Sequence, residues 1–258
     1  MRPGTILPAA AWVAVAALAL GALAQESSPP KTAPAGEAKS ATTRGLEAGS
    51  KVLQGKAPLS GFDVYLDGFH PLKDRPELQV EAHHYCRQVN EDFAQCILFD
   101  GNTATANVNG IEYIISEKLY NTLPAQERKL WHPHNGEILS GQLVAPGIPD
   151  AAEHALMRQK MNSYGKTWHV WNTGHAGQPG DKIPVGDAML AWSFNRDGEL
   201  APGMLEARDQ RLGISTPDKR RQRQDLRPAA KPQPGVDDLK GKFPRPTQDI
   251  PGVTAPQK

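Results

Sequence analysis

In 258 residues the chain carries 29 Lys+Arg against 28 Asp+Glu, a formal net charge of +1 with neutral histidines. That balance, with no basic stretch interleaved with aromatics, speaks against a nucleic-acid partner, and 2 cysteines are too few for a disulfide scaffold. The near-zero sum hides an asymmetry: residues 57–200 hold 11 Lys+Arg against 18 Asp+Glu, and residues 205–258 hold 12 against 7.

The N-terminus has the make-up of a cleaved export signal. Arg2 supplies a positive start, residues 9–20 are apolar and uncharged, and Ala22-Leu23-Ala24 offers a small-x-small cleavage pattern before Gln25. The apolar run falls short of the roughly 20 residues that span a bilayer. A signal over residues 1–24 implies a periplasmic or secreted location. Residues 25–57, rich in Ala, Gly, Ser, Thr, Pro and Lys with almost no large apolar residue, read as a disordered tether.

Residues 58–204 suffice for one domain with one core. Strand-like runs fall at 79–86 and 95–99, then, after the turn Asp100-Gly101-Asn102, at 106–116, 137–144, 166–171 and 188–194. Helices are predicted at 124–131, with proline in the first turn, and at 150–164, where Asp150 and Glu153 have capping-box spacing before Gly165. On the second helix His154, Met157, Met161 and Tyr164 share a face that reads as packing. Strands with interspersed helices and no βαβ rhythm predict an α+β fold: a single domain around an antiparallel sheet, with a few helices and disordered N- and C-terminal flanks. The last stretch, 205–258, carries 8 prolines and the basic run Lys219-Arg220-Arg221-Gln222-Arg223. A helical turn or two before Leu226 and disorder after Pro228 are expected. Such a tail folds back on the acidic body, offers itself to a lipid or membrane surface, or stays solvated, which is the simplest reading.

All 8 histidines lie between His70 and His175, and imidazole is the usual side chain for metal ligation and for proton transfer near neutral pH. In Val80-Glu81-Ala82-His83-His84-Tyr85-Cys86, strand alternation sets His84 with Val80, Ala82 and Cys86 on a core-like face, and His83 with Glu81 and Tyr85 on the other. The two rings cannot easily share one ion. His132-Pro133-His134 aims two imidazoles the same way from an extended segment, with Glu137 following, a style of presentation for zinc, iron or manganese. His169 shares its side with Thr167 and Trp171, and Glu112 adds a carboxylate on the strand before Ser116. The candidate metal or acid–base set is therefore some of His83, His84, Glu112, His132, His134, Glu137 and His169, with a divalent metal as cofactor. The alternative is a set of structural histidines. His70, His154 and His175 read as incidental. Cys86 and Cys96 allow a disulfide in an oxidising compartment, worth about 2–3 kcal/mol for so short a loop. The glycine-rich stretch 174–182 lacks the Gly-Lys-Ser/Thr ending of a phosphate loop, and neither Gly-x-Ser-x-Gly nor His-Glu-x-x-His occurs.

Several of these stretches resemble a known family. Gln79-Val80-Glu81-Ala82-His83-His84-Tyr85-Cys86, Asn90-Glu91-Asp92-Phe93, Gln95-Cys96, Gly110-Ile111-Glu112-Tyr113-Ile114-Ile115-Ser116, Leu130-Trp131-His132 and Tyr164-Gly165-Lys166-Thr167-Trp168-His169 are similar to the oil-body-associated proteins, over roughly residues 62–198. The resemblance carries over no catalytic residue. It implies a non-enzymatic binding protein, associated with lipid or envelope; a small metal-binding protein or metal-dependent enzyme built on the histidines is the alternative. The export signal and proline-rich flanks depart from the plant members.

Overall fold

A computed structural model describes residues 27–254, so the expected export signal lies outside the described residues. Helix α1 (Ala41–Leu53) and a 3-10 turn (Ala57–Leu59) lead into strands β1 (Val64–Leu72), β2 (Arg75–Asn90), β3 (Phe93–Phe99) and β4 (Val108–Ile115). Short pieces follow: α2 (Glu117–Tyr120), α3 (Ala125–Arg128), β5 (His132–Pro133) and α4 (Asn135–Ser140), then α5 (Asp150–Lys160) and β6 (Tyr164–His169). β7 (Gly174–His175) and β8 (Gln178–Pro179) make a small hairpin, and β9 (Met189–Leu190) and β10 (Arg196–Asp197) precede the C-terminal elements. These are α6 (Met204–Leu212), α7 (Thr216–Gln222), a second 3-10 segment (Gln224–Ala229) and β11 (Gln248–Asp249).

The main sheet is antiparallel in the order β1-β2-β3-β4-β6-β5, with β9 also on β6. It curls. Ala191, just past β9, bridges Leu72 of β1, and the Trp192 N–H donates to the Pro71 carbonyl at 2.8 Å. This is the α+β single domain that the pattern predicts. The register links Leu66 to His84, Cys86 to Cys96, Cys96 to Glu112, Glu112 to Thr167 and Gly110 to His169, and all of these except Gly110 and Thr167 carry the interior packing or the histidine cluster. Pleating sends the alternate set, Asp67 opposite His83 and Phe69 opposite Glu81, to the other face. Cys86 and Cys96 are joined as a disulfide between β2 and β3.

Several local expectations change. Residues 137–144 form not a strand but the buried α4 and a turn at Gly141, whose φ is +83°; a short apolar run does not distinguish the two by periodicity. The helix expected at 124–131 shrinks to the single turn of α3. α5 ends at Lys160 and its N-cap position is Pro149, while Asp150 and Glu153 pair with Lys219 and Arg223 of the tail rather than forming a capping box. β1 went unforeseen, since Asp67-Gly68 and Pro71 read as breaks.

The C-terminal flank takes a defined path where disorder was expected after Pro228. Val236, Ile250 and Val253 join Leu226 in the main core, while Leu239 and Phe243 pack with Phe69, Trp192 and Phe194. Isolated apolar anchors among prolines and charges carry no period, so they leave little trace in sequence. The tail's cations meet the acidic body: Arg208 with Asp67 at 2.8 Å, Arg220 with Asp197 at 2.7 Å, Arg223 with Glu153 at 2.9 Å. Folding back on the body is the arrangement found. At the other end, the Ser28 N–H donates to Asn102 Oδ1 (2.7 Å) and Lys31 pairs with Glu81 (3.0 Å), whereas α1 buries no residue. Among the described residues, no helix is long and apolar enough to cross a membrane.

Candidate metal centre

Glu112 sits in the middle of β4, where pleating aims it into the curled sheet. Its Oε2 lies 3.0 Å from His84 Nε2 of β2, and its Oε1 lies 3.2 Å from His134 Nε2 and 3.5 Å from His132 Nε2. β5 and the residue before α4 carry His132 and His134 over the start of β6, pairing His132 with Gly165. His70 of β1 stands edge-on to His84, with ring centres 5.1 Å apart, and its Nδ1 lies 3.2 Å from His169 Nε2 of β6. Glu137, in the first turn of α4, completes a group with His132 and His134. All of these side chains are buried.

The hydrogen bonds fix two of the tautomers. His84 Nδ1 lies 3.0 Å from the Ala82 carbonyl, which only accepts, so that nitrogen carries the proton. The Ser163 hydroxyl donates to the Lys160 carbonyl (2.7 Å) and must therefore accept from His134 Nδ1 (2.7 Å). In the neutral rings both Nε2 atoms are then lone pairs, and both face Glu112. A lone pair set against a carboxylate repels it. The outer nitrogen fixed by a protein acceptor and the inner one left free is also the habit of metal-ligating histidines.

Other polar atoms here lack partners. Neither ring nitrogen of His132, which is 0% exposed, makes a hydrogen bond to the described residues, and the same holds for His169 Nδ1 and Glu137 Oε1. Buried polar groups in folded proteins are nearly always satisfied, so such a cluster of exceptions calls for an explanation. Burial opposes ionisation of Glu112, and only donors or positive charge at the facing nitrogens of His132, His134 and His84 hold its carboxyl well below the usual range. With those Nε2 atoms deprotonated, a cation among them fills that role. Burial, reinforced by the charge of Glu112, pushes Glu137 well above the carboxylate range. Burial also lowers His132 and His169 to about 4, and His70 well below the imidazole range. These three rings are thereby kept neutral, as ligands must be.

Gly165 is part of this geometry. A Cβ there would collide with Glu112 Oε1 and stand 2.6 Å from His132 Nε2. The glycine lets β6 pass directly over the carboxylate.

Of the residues singled out in the sequence, the structure brings together His84, Glu112, His132, His134 and Glu137, with His169 reached through His70. His70, set aside as incidental, lies among them; its place on β1 was hidden because β1 itself was. His83 stands apart on the opposite face, as strand alternation requires. There its Nδ1 is 2.7 Å from Tyr65 Oη and 3.1 Å from Asp67 Oδ2, and Glu81 lies beside its other nitrogen. Asp67, Glu81 and His83 also converge closely. However, Arg208 already faces Asp67, and Lys31 and Arg211 already face Glu81. A further cation on that face would meet like charge, whereas the inner cluster has two carboxylates and, among the described residues, no arginine in contact. His154 pairs with Asp225 on the surface at 2.8 Å.

Comparison with known proteins fits this domain. The family model described as "Protein of unknown function (DUF1264)" matches residues 56–227. Oil body-associated protein 1B of Arabidopsis thaliana is 36% identical over 185 residues, which cover 72% of this chain and 75% of that protein. Oil body-associated protein 1A of Zea mays is 38% identical over 178 residues, 69% and 73% of the two chains, and protein 2A of Zea mays is 34% identical over 208 residues, 80% and 81%. No solved structure matches. The chain belongs to the DUF1264 family, the family of the oil body-associated proteins.

Proposed function

We propose that this chain is a metal-binding protein whose interior holds a divalent transition ion between Glu112 and the imidazoles around it. One observation carries the reading: with Nδ1 of His84 and of His134 each donating to a protein acceptor, two Nε2 lone pairs point at one buried carboxylate. A cation among these atoms turns repulsion into ligation. An imidazole and carboxylate donor set suits zinc, iron or manganese. The competing explanation is a pair of buried imidazolium ions, which would have to lose most of their hydration without a full complement of counter-charge. No reaction is assigned to the centre.

Elemental analysis of the purified chain tests this. Near-stoichiometric metal that is lost in His84→Ala and His132→Ala supports it. Metal-free, folded protein that takes up no zinc, iron or manganese in dialysis rejects it.

Attachment to a lipid surface is a second reading, favoured by the relatives' name, oil body-associated, and by α1, where Leu46, Val52 and Leu53 stand exposed on a helix that buries nothing. This contact would use α1 rather than the basic tail, whose side chains are largely engaged with the body. An exported location, suggested by residues 1–24, goes with the disulfide. Vesicle co-sedimentation with and without residues 41–53 tests the lipid contact.

A further inference from the structure

The cluster is larger than one ion needs. Two groups of potential ligand atoms converge within it, one from His70, Glu112 and His132, the other from His132, His134 and Glu137, and in each the atoms lie within 4.8 Å of one another. With His84 and His169 alongside, the interior gathers more imidazole and carboxylate donors than a four-coordinate ion takes.

Glu112 divides its oxygens between the groups. Oε2 faces His84, which is stacked edge-on against His70, while Oε1 faces His134 and His132. That is the posture of a carboxylate bridging two cations. His132 stands between the positions, with ring centres 5.7 Å from His70 and 5.0 Å from His134, and neither of its nitrogens has a hydrogen-bond partner among the described residues. Glu137 is the second independent observation. Only 5% exposed, it has among the described residues no cation in contact and no hydrogen-bond partner for Oε1. An ion held by Glu112 and His84 alone leaves Glu137 unexplained. A buried carboxyl with nothing to meet is costly to keep.

From this we infer a dinuclear centre: a second divalent ion sits among His134, Glu137 and His132, and Glu112 bridges it to the first. The inference rests on the reading of the cluster as a metal centre and adds the number of ions and the role of Glu137. It also accounts for the carboxylates, one shared by both ions and one belonging to the second.

The test is a titration of the full chain, stripped with chelator, using Co²⁺ followed by visible absorption, with bound cobalt counted after desalting. Wild type is expected to take two equivalents. Glu137→Gln, which keeps the shape and removes the negative donor, is expected to take one. Mn²⁺ loaded to saturation should give an exchange-coupled electron paramagnetic resonance spectrum in wild type and an isolated-ion spectrum in Glu137→Gln. Wild type saturating at one equivalent, with Glu137→Gln binding at the same affinity, overturns the second ion and leaves the single-ion centre standing. No binding at all overturns both. Should Glu137→Gln not fold, the wild-type count and its manganese spectrum decide the matter by themselves.

Discussion

Glu112 on β4 reaches His84 on β2 across the whole width of β3, Oε2 to Nε2 at 3.0 Å, over Leu98, the register partner of His84. Alternate strands lie about 10 Å apart, and the two extended side chains span that gap inside the curled sheet. The centre is thus a product of the fold as a whole, and a change to its carboxylate should be felt by every ring around it. Glu112→Gln retains the shape and removes the charge. It is expected to weaken Zn²⁺ binding about 100-fold or more, read by competition with a chromophoric chelator. Unchanged affinity would remove Glu112 from the ligand set.

Gly165→Ala tests the close passage of β6 over the carboxylate. The added methyl collides with Glu112 and presses on His132. Overpacking of this kind costs about 1–3 kcal/mol, so a lower Tm together with loss of metal uptake is expected. Normal metal uptake in this variant would show that the passage has slack.

The metal-free chain should be sensitive to acid. Burial holds His132 and His169 at about 4 in the fold, against an ordinary imidazole value of 6.5. Between those values the unfolded chain takes up protons on the two rings that the folded chain refuses, so stability falls as the pH drops through that window. Glu137 and Asp67, raised by burial, work the other way in this window, while His70 and His83, also lowered by burial, add to the fall. With four rings against two carboxyls, thermal melts of chelator-treated protein should show Tm declining below pH 6.5. A flat Tm down to pH 4 would mean that the rings are not held neutral by burial.

Arg208 joins the tail to the sheet. Its guanidinium is fully buried between Asp67, Asp209, Thr216 and the Gln142 carbonyl. Arg208→Ala strands Asp67 inside, and breaking a buried pair in this way costs about 3–5 kcal/mol. Limited proteolysis should then cut after residue 203, where wild type resists. Equal resistance of the two proteins would mean that the apolar anchors alone hold the tail.

Strand alternation alone separated His83 from His84, because a pleated strand has a period of two and leaves little choice. The same rule put His169 on the side of Thr167, and both are buried there. What sequence did not disclose was tertiary. His70 joins the cluster through a strand whose Gly68 and Pro71 look like breaks, yet β1 pairs along its length with β2. Glu137 was noted as a neighbour of His134 on a strand; a buried helix instead sends it inward. The defined path after Pro228 is hidden for a different reason. Val236, Leu239, Phe243, Ile250 and Val253 are each too isolated to make a periodic pattern, and Arg223, which anchors Glu153, reads as part of a solvated basic run.

Crystals of zinc-loaded protein, measured above and below the zinc absorption edge, locate the ion itself. An anomalous peak is expected inside the curled sheet, within bonding distance of Glu112 and of the Nε2 atoms of His84 or His134. A fully loaded crystal with no peak there, and with His84 and His134 hydrogen-bonded to the carboxylate as imidazolium ions, would contradict a metal centre at this site.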